Sequence, residues 1–241
     1  MFWAARKHRG SWGCAALLCA LATACFNPEA VEVNAATDSG SPKRLLVDDF
    51  EDGDRVSNNA NFEPWQCDQV GFNDQWQLLH CGVTPLGGGS HSNYAYAIDF
   101  VLADDPNGNR EYPSDEVLTN LKVPMNASEY QSFVFDTRLV PGDLPLSAET
   151  YVRVHLSCLK MNPSPEINYD YEIGAGVVPS AEWQTHVLPI ADFVQFDWLR
   201  TPIDERACAK AVDVVKFELQ PNLTDGASTN GTLAIDNVYL Q

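Results

Sequence analysis

The residues best suited to chemistry are the carboxylates of residues 45–54, which read Leu-Leu-Val-Asp-Asp-Phe-Glu-Asp-Gly-Asp. An apolar run that favours a strand ends there in clustered acids and a glycine turn. Hard cations such as Ca²⁺ prefer several oxygen ligands, so this segment suits a calcium ion. The closing segment, residues 232–240, alternates like a strand and carries Asp236 in its middle. If the two strands pair, the ion joins the two ends of the domain.

The spacing of these acids excludes a calcium loop of the EF-hand type. With Asp48 at the first loop position, Phe50 falls at the third and Asn59 at the twelfth, where an EF-hand needs oxygen ligands and a glutamate. Asp49 and Glu51 point to the same side of a strand, which favours shared ligation. The alternative interpretation is that the acids cap a turn and stay solvated.

Other motifs give little support for catalysis. Residues 87–92, Gly-Gly-Gly-Ser-His-Ser, lack the Gly-Lys-Ser/Thr ending of a phosphate loop and precede a strand-like run, which favours a turn. Acidic residues are plentiful, but the sequence selects no pair for glycosidase work. His155 and His186 lie in alternating runs without metal-binding spacing and are expected to be structural. We predict that the protein is not an enzyme.

The amino-acid composition limits the classes of partner that the protein can bind. The 241 residues carry a formal charge of −18, and loss of a leader containing Arg6, Lys7 and Arg9 would take it to −21. No basic patch is available for phosphates, so nucleic acid is excluded as a partner. This acidity also disfavours adsorption to anionic membranes and is compatible with neutral ligands and divalent cations.

The first 24 residues predict a signal peptide, because a basic start precedes a short apolar run that cannot span a bilayer. The ending Leu-Ala-Thr-Ala-Cys at residues 21–25 resembles the lipobox of bacterial lipoproteins, with Ala22 where leucine is usual. The resemblance implies a lipid on Cys25. It places the protein, lipid-anchored, in a bacterial cell envelope, with that lipid as the only membrane contact. The alternative is an ordinary secretory signal. Residues 25–43 show no sustained periodicity, which predicts a flexible tether, and a single domain is expected over 44–241.

Cysteines support export. Four of the seven lie in the domain, at Cys67, Cys81, Cys158 and Cys208, and an even set in an exported chain indicates two disulfides. Proximity favours Cys67–Cys81 and Cys158–Cys208, although three pairings exist. The competing idea of a zinc site lacks the usual C-x2-C pair.

The domain consists of short strand-like runs separated by turn signals. The candidate strands are residues 44–50, 76–79, 95–101, 117–123, 132–139, 151–158, 169–175, 184–189, 212–220 and 232–240. Such a pattern predicts an all-β fold, an antiparallel β-sandwich or jelly roll.

Three segments in order resemble family 11 carbohydrate-binding modules and related galactose-binding-like jelly rolls. They are the opening residues 46–53, the Trp-strand-Pro-Phe run at 183–193, and the final strand pair at 211–219 and 230–240. The resemblance implies a structural Ca²⁺ whose side-chain ligands are Asp49, Glu51 and Asp236. The four cysteines, a longer middle at 104–115 and an insert at 201–210 depart from the family pattern.

The same resemblance implies a sheet face on which aromatic rings stack on a neutral glycan and polar groups bind its hydroxyls. The candidate ligand residues are Trp65, Tyr169, Asp170, Tyr171, Trp198 and Gln220. Each aromatic candidate could instead pack in the core or at its rim. The predicted function is a non-catalytic, tethered glycan-binding lipoprotein. The alternatives are a structural or protein-interaction lipoprotein with the same fold, or a glycan-acting hydrolase.

Overall fold

A computed structural model describes residues 43–70, 77–85, 94–103, 114–144, 150–162, 171–196, 202–221 and 228–241. The strands are β1 (Leu45–Asp48), β2 (Gln66–Val70), β3 (Gln77–Thr84), β4 (Ala95–Ala103), β5 (Ser114–Met125), β6 (Ser132–Pro141), β7 (Thr150–Ser157), β8 (Glu172–Val177), β9 (Gln184–Pro189), β10 (Val212–Pro221) and β11 (Ser228–Leu240). One helix, α1 (Glu205–Ala209), and 3₁₀ turns at Ala127–Glu129, Leu159–Met161 and Ile190–Asp192 lie between them.

The strands form two antiparallel sheets. The six-stranded sheet has the order β3-β4-β11-β6-β9, with β1 also beside β11, and the five-stranded sheet has the order β2-β5-β10-β7-β8. The predicted all-β sandwich of jelly-roll type is confirmed. Its strands alternate apolar and polar residues because one face of each sheet is buried.

Strand β11 is the centre of the larger sheet. Strand β6 pairs along one of its edges, while β4 pairs with residues 228–235 and β1 with residues 238–240 along the other. The change from β4 to β1 falls at Asp236 and Asn237, where the pairing with β6 also skips residues. Asn237 has a positive φ of 49°, a conformation that asparagine tolerates. The predicted meeting of the opening and closing strands is therefore confirmed.

Aromatic rings fill the space between the sheets. Phe217 of β10 lies 5.1 Å from Phe135 and 6.1 Å from Trp65, measured between ring centroids. Phe50 lies 5.7 Å from Trp65 and 5.6 Å from Tyr96. Each large ring removes about 150–250 Å² from water, so this cluster supplies much of the driving force for folding.

Two disulfides close the fold with the pairings that proximity favours. Cys67–Cys81 joins β2 of the smaller sheet to β3 of the larger one, and Cys158–Cys208 joins the end of β7 to α1. The disulfide prediction is confirmed, and a zinc site formed from all four thiolates is excluded because a ligating thiolate must be unbonded.

The structure adds to or differs from the sequence prediction in several local features. Strand β2 was not predicted, because Gln-Cys-Asp-Gln-Val has no apolar alternation. Strand β1 ends at Asp48 rather than at residue 50, because Phe50 has a φ of 53° and turns the chain. The insert at 201–210 contains α1, whose N-terminus is capped by the Asp204 carboxylate accepting from Arg206 N and Ala207 N. Within the described ranges, no helix is long and apolar enough to cross a membrane.

Candidate functional site

The outer face of the five-stranded sheet, hereafter the outer face, carries a cluster of paired charged side chains. Val215, Phe217 and Leu219 of β10 point into the core, so the residues between them point outward. The β10–β7 register pairs Lys216 with His155, Glu218 with Arg153 and Gln220 with Tyr151. Residues directly opposite in this way have Cβ atoms about 4.5–5.5 Å apart, so the three pairs form one continuous surface.

His155 is the centre of an ionic network on this face. Its side chain is only 1% exposed, and Nε2 lies 2.8 Å from Glu218 Oε2 with hydrogen-bond geometry. On the other side of the ring, Nδ1 lies 3.0 Å from Glu172 Oε1, an ion-pair contact outside hydrogen-bond geometry. The imidazole is thus held between carboxylates from β10 and β8.

Lys216 extends the network across the sheet. Its Nζ lies 2.9 Å from Glu116 Oε1 of β5 and 3.5 Å from Glu172 Oε2 of β8. Charges therefore alternate in sign from Glu116 through Lys216, Glu172 and His155 to Glu218. Pairing of this kind is what allows poorly solvated charges to persist, because an unpaired buried ion is costly.

The network fixes the protonation of its members. Burial disfavours the charge of His155, but the contacts with Glu172 and Glu218 outweigh burial and raise its pKa above the ordinary 6.5. Burial also disfavours the charge of Glu218, yet the hydrogen bond from His155 and the nearby cations lower its pKa to about 2. The pKa of Glu172 is lowered for the same reasons.

Glu116 and Lys216 respond differently. Burial of Glu116 outweighs the attraction of Lys216, so the pKa of this carboxyl is raised. Burial works against the charge of Lys216 as well, but the surrounding glutamates, chiefly Glu116, raise its pKa and keep it protonated. The charged groups of the network are therefore paired with one another.

One end of the outer face is open to solvent. Tyr151 is 36% exposed, and the half-buried Gln220 lies directly opposite it across β7 and β10. An exposed phenol ring beside a side-chain amide offers an apolar plane together with donors and acceptors. Such a pair can bind a small polar molecule that also has an apolar face.

Phe196 forms a wall beside the network. A two-way backbone pair between Val194 and Gly174 attaches its segment to the edge of β8, with N···O distances of 2.9 and 3.2 Å. A Cβ atom on Gly174 would lie 2.5 Å from the Phe196 ring, so glycine is required there. The Phe196 ring centroid lies 5.0 Å from that of His155 and 5.5 Å from the Arg153 guanidinium carbon.

The structure assigns the predicted ligand residues to different places. Trp65 is 1% exposed inside the aromatic core, so its assignment as a sugar platform is wrong: stacking needs an accessible ring face. Tyr171 is half-buried and packs against the core. Gln220 lies on the outer face, as a ligand residue would. Tyr169, Asp170 and Trp198 lie outside the described residues.

Sequence reasoning missed Tyr151, Arg153, Glu218 and Phe196. The first two belong to a run whose alternation was recognised, and that alternation alone places them on the face opposite Val152 and Val154. What the sequence does not show is the register that sets β7 beside β10, and so brings these residues together with Glu218.

The predicted calcium ligands lie at the junction of β1 and β11. Asp236 is buried, and its carboxylate accepts from Asn237 N at 2.7 Å and from Asn237 Nδ2 at 3.3 Å. Asp49 is half-buried and Glu51 is exposed. The expectation that these two acids share one side of a strand is wrong, because β1 ends before them and Phe50 reverses the local direction.

The residues fit a calcium ion only in part. Among the described residues, no three His, Cys, Asp or Glu side chains form a group that could hold a metal, and this includes Asp49, Glu51 and Asp236. Calcium takes six to eight oxygen ligands and accepts main-chain carbonyls. Such carbonyls would have to supply the remaining ligands, so the calcium site stays a prediction.

Asp48 has a structural role beside this junction. It is fully buried; its Oδ1 accepts from Phe50 N at 2.9 Å and its Oδ2 from Trp65 Nε1 at 2.8 Å. Burial raises the pKa of this carboxyl to about 7 despite the two hydrogen bonds. Asp48 therefore holds the turn at Phe50 and the core indole in place.

Comparison with solved structures shows that this sandwich has the fold of jelly-roll carbohydrate-binding modules. It is similar to a family 11 carbohydrate-binding module from Clostridium thermocellum in complex with a β-1,3-1,4-mixed-linked tetrasaccharide (TM-score 0.54, 14% identity, 83% of this chain and 96% of that one). The family 11 module of a cellulosomal cellulase from the same organism gives a TM-score of 0.52 at 13% identity, covering 83% of this chain and 95% of that one.

These likenesses show that the chain has the fold of the family 11 modules. No family model and no curated protein sequence matches the chain. The resemblance of the three sequence segments to family 11 is thus confirmed at the level of the fold.

Proposed function

We propose that the protein is a non-catalytic module that binds a neutral glycan on the outer face. The observation that carries this proposal is the pairing of Tyr151, 36% exposed, with Gln220 across β7 and β10. A sugar ring has an apolar C–H face and a hydroxyl edge, and the phenol plane and the amide complement both.

The charges of the face favour a neutral ligand. Lys216 and His155 are already engaged by glutamates at 2.8–3.5 Å, so neither cation is left for an acidic sugar. The formal charge of −18 further disfavours a polyanionic glycan.

The electrostatics of the outer face disfavour hydrolysis by its carboxylates. A glycosidase acid needs a carboxyl with a raised pKa that can reach the leaving group. Glu172 and Glu218 have lowered pKa values because His155 stabilises their charged forms. Glu116 has a raised pKa but contacts Lys216 at 2.9 Å, which holds its carboxylate in the network.

The first probe is a β-1,3-1,4-mixed-linked glucan, because a structurally similar module was solved with such a tetrasaccharide. Titration calorimetry, preceded by an array of neutral glycans, should detect binding by the wild-type protein. Tyr151→Ala should weaken it at least tenfold, since loss of a stacking ring costs more than about 1.4 kcal/mol where it is a binding hot spot.

Tyr94→Ala is the matched control, because Tyr94 is also 36% exposed but lies before β4 in the other sheet. It should bind like the wild type. Absence of binding to every neutral glycan, or equal affinity of Tyr151→Ala and wild type, would overturn the proposal. Release of reducing ends during incubation would point instead to a hydrolase.

We also propose the tether and the calcium ion suggested by the sequence. The Leu-Ala-Thr-Ala-Cys ending supports lipidation of Cys25 in a bacterial envelope, with the domain held by the intervening residues 26–43. Incorporation of labelled palmitate that is lost in Cys25→Ala would test it. Labelling that persists in that variant, or that never occurs, would contradict it.

A further inference from the structure

Four parts of the domain meet at His155. The ring belongs to β7, its Nε2 contacts Glu218 of β10 at 2.8 Å, and its Nδ1 contacts Glu172 of β8 at 3.0 Å. The fourth part is the segment of residues 193–196, whose Phe196 ring packs 5.0 Å from the imidazole between centroids. His155 therefore contacts β8, β10 and Phe196 at once.

The charged groups around the ring come from every described strand packed against it. Strand β8 contributes Glu172, and β10 contributes Glu218 and Lys216. Glu116 of β5 contacts Lys216 at 2.9 Å. Burial raises the pKa of Glu116, and the attraction of Lys216 and His155 offsets part of that rise. Arg153 precedes His155 on the same face of β7 and stands over Phe196. Residues 193–196, Phe-Val-Gln-Phe, contain no titratable group.

We infer that His155 is a pH-dependent positioning residue, whose charged form holds the Phe196 wall and the β8 edge of the outer face in place. Arg153, which lies 5.5 Å from the Phe196 ring, stands between His155 and Tyr151 on the same face of β7, so glycan binding at Tyr151 should also depend on pH. That second consequence rests on the proposed function, whereas the positioning role does not.

The chemistry of imidazole explains why charge is required. The charged ring carries an N–H on both nitrogens, one hydrogen-bonded to Glu218 and one in ion-pair contact with Glu172, whereas the neutral ring has one N–H and one lone pair. After deprotonation, one of Glu172 and Glu218 faces a lone pair instead of a donor. Because the ring is 1% exposed, solvent offers little compensation. The carboxylate that faces the lone pair therefore loses an attractive contact in a poorly solvated site, and if this is Glu172, it keeps among the described residues only its contacts with Lys216 and Ser157.

We expect the unfavourable contact between the neutral ring and a carboxylate to be relieved by a local movement of β8. Strand β8 is an edge strand that pairs only with β7 among the named strands, and the two-way bridge from Gly174 to Val194 is its contact on the other side. If Glu172 moves away from the neutral ring, β8, Gly174 and the Phe196 wall move with it. Edge elements of this kind open at lower free energy than the core.

The sign follows from the environment of the ring. The carboxylates favour the charged form in the folded protein, so the wall is held at and below the ordinary His pKa of 6.5 and loosens as pH rises through the higher folded value. By linkage, a glycan that binds the ordered wall must raise the pKa of His155. If glycan binding raises the pKa of His155 by one unit, binding is about tenfold weaker at a pH above both the free and the bound pKa than at a pH below them.

The primary test needs no ligand. Imidazole NMR shifts of the protein, assigned by comparison with His155→Gln, should show His155 titrating above 6.5. Amide exchange corrected for intrinsic rate should show protection of Gly174 and Val194 falling at the same midpoint. In His155→Gln the protection should be low at every pH and show no step. His186→Gln is the control, since His186 is also buried but bonds the Thr137 hydroxyl at 2.8 Å, and it should keep the step.

A step that persists in His155→Gln, or a His155 ring that titrates without any change at Gly174 and Val194, would overturn the inference. Glu218→Gln provides an independent check, because loss of this carboxylate should move the midpoint to lower pH. A second arm titrates mixed-linked glucan at pH values on either side of the midpoint. Weaker binding on the alkaline side supports the coupling and equal binding refutes it, whereas no binding at either pH contradicts only the proposed function.

Discussion

The indole N–H of Trp65 donates to the fully buried Oδ2 of Asp48 at 2.8 Å, which ties the aromatic core to the last residue of the first strand. Asp48 Oδ1 accepts from Phe50 N in turn. Trp65, which the sequence suggested as a sugar-stacking residue, is therefore a buried residue that stabilises the fold.

Replacing Trp65 with phenylalanine should cost about 1–3 kcal/mol in the free energy of unfolding, because a buried carboxyl loses its donor. Urea denaturation followed by circular dichroism measures the loss. Trp183→Phe is the control: its indole nitrogen has no hydrogen-bond partner among the described residues, so no bond is lost there. Equal effects of the two substitutions would contradict a role for the Asp48 hydrogen bond.

Removing the two disulfides should have unequal effects. In the chain-entropy account, the Cys158–Cys208 link, with a separation of 50 residues, contributes about 4 kcal/mol, and the Cys67–Cys81 link, with a separation of 14, about 3 kcal/mol. The double serine variant at 158 and 208 should therefore unfold at lower urea concentration than the one at 67 and 81. The reverse order would show that local packing, not loop length, dominates.

Chelation should lower the melting temperature if the proposed calcium ion is bound. An ion that binds only the folded state adds about 2.7 kcal/mol at one hundred times its dissociation constant. Asp236→Asn should abolish the response to chelator, while the exposed Glu182, replaced by glutamine, should leave it intact. An unchanged melting curve in chelator and in excess Ca²⁺ would refute the calcium proposal.

The contribution of Glu218 to the free energy of unfolding should decrease at acid pH. The folded pKa of about 2 lies below the ordinary 4.5, so its stabilisation is complete above pH 4.5 and is lost as pH falls towards 2. The difference in unfolding free energy between wild type and Glu218→Gln should shrink over that window. Denaturant titrations at several pH values measure it.

The contribution of Glu116 to the free energy of unfolding should depend on pH in the opposite direction to that of Glu218. The pKa of Glu116 is raised in the folded protein, so this residue favours folding more as pH falls. The difference between wild type and Glu116→Gln should grow towards acid while that for Glu218→Gln shrinks. The same trend for both variants would contradict the protonation states assigned to the network.

The sequence by itself determined the class of fold. Alternation with a period of two, frequent turn signals and four domain cysteines point to a disulfide-linked β-sandwich, because a one-sided sheet dictates this pattern residue by residue. Pairing of the first and last strands also followed from the sequence. Strand β2 did not, since its five residues carry no apolar alternation and are ordered by pairing with β5.

Only the tertiary structure decided which polar and aromatic residues meet. The register of β7 against β10 brings Tyr151 beside Gln220 and His155 beside Glu218, and a shift of one residue would turn each of them into the core. Trp65 likewise lies in the core only in the folded sandwich, packed 5.7 Å from Phe50, whose positive φ turns the chain after β1. Long-range register and backbone turns of this kind arise from packing across the whole sandwich, which local sequence does not encode.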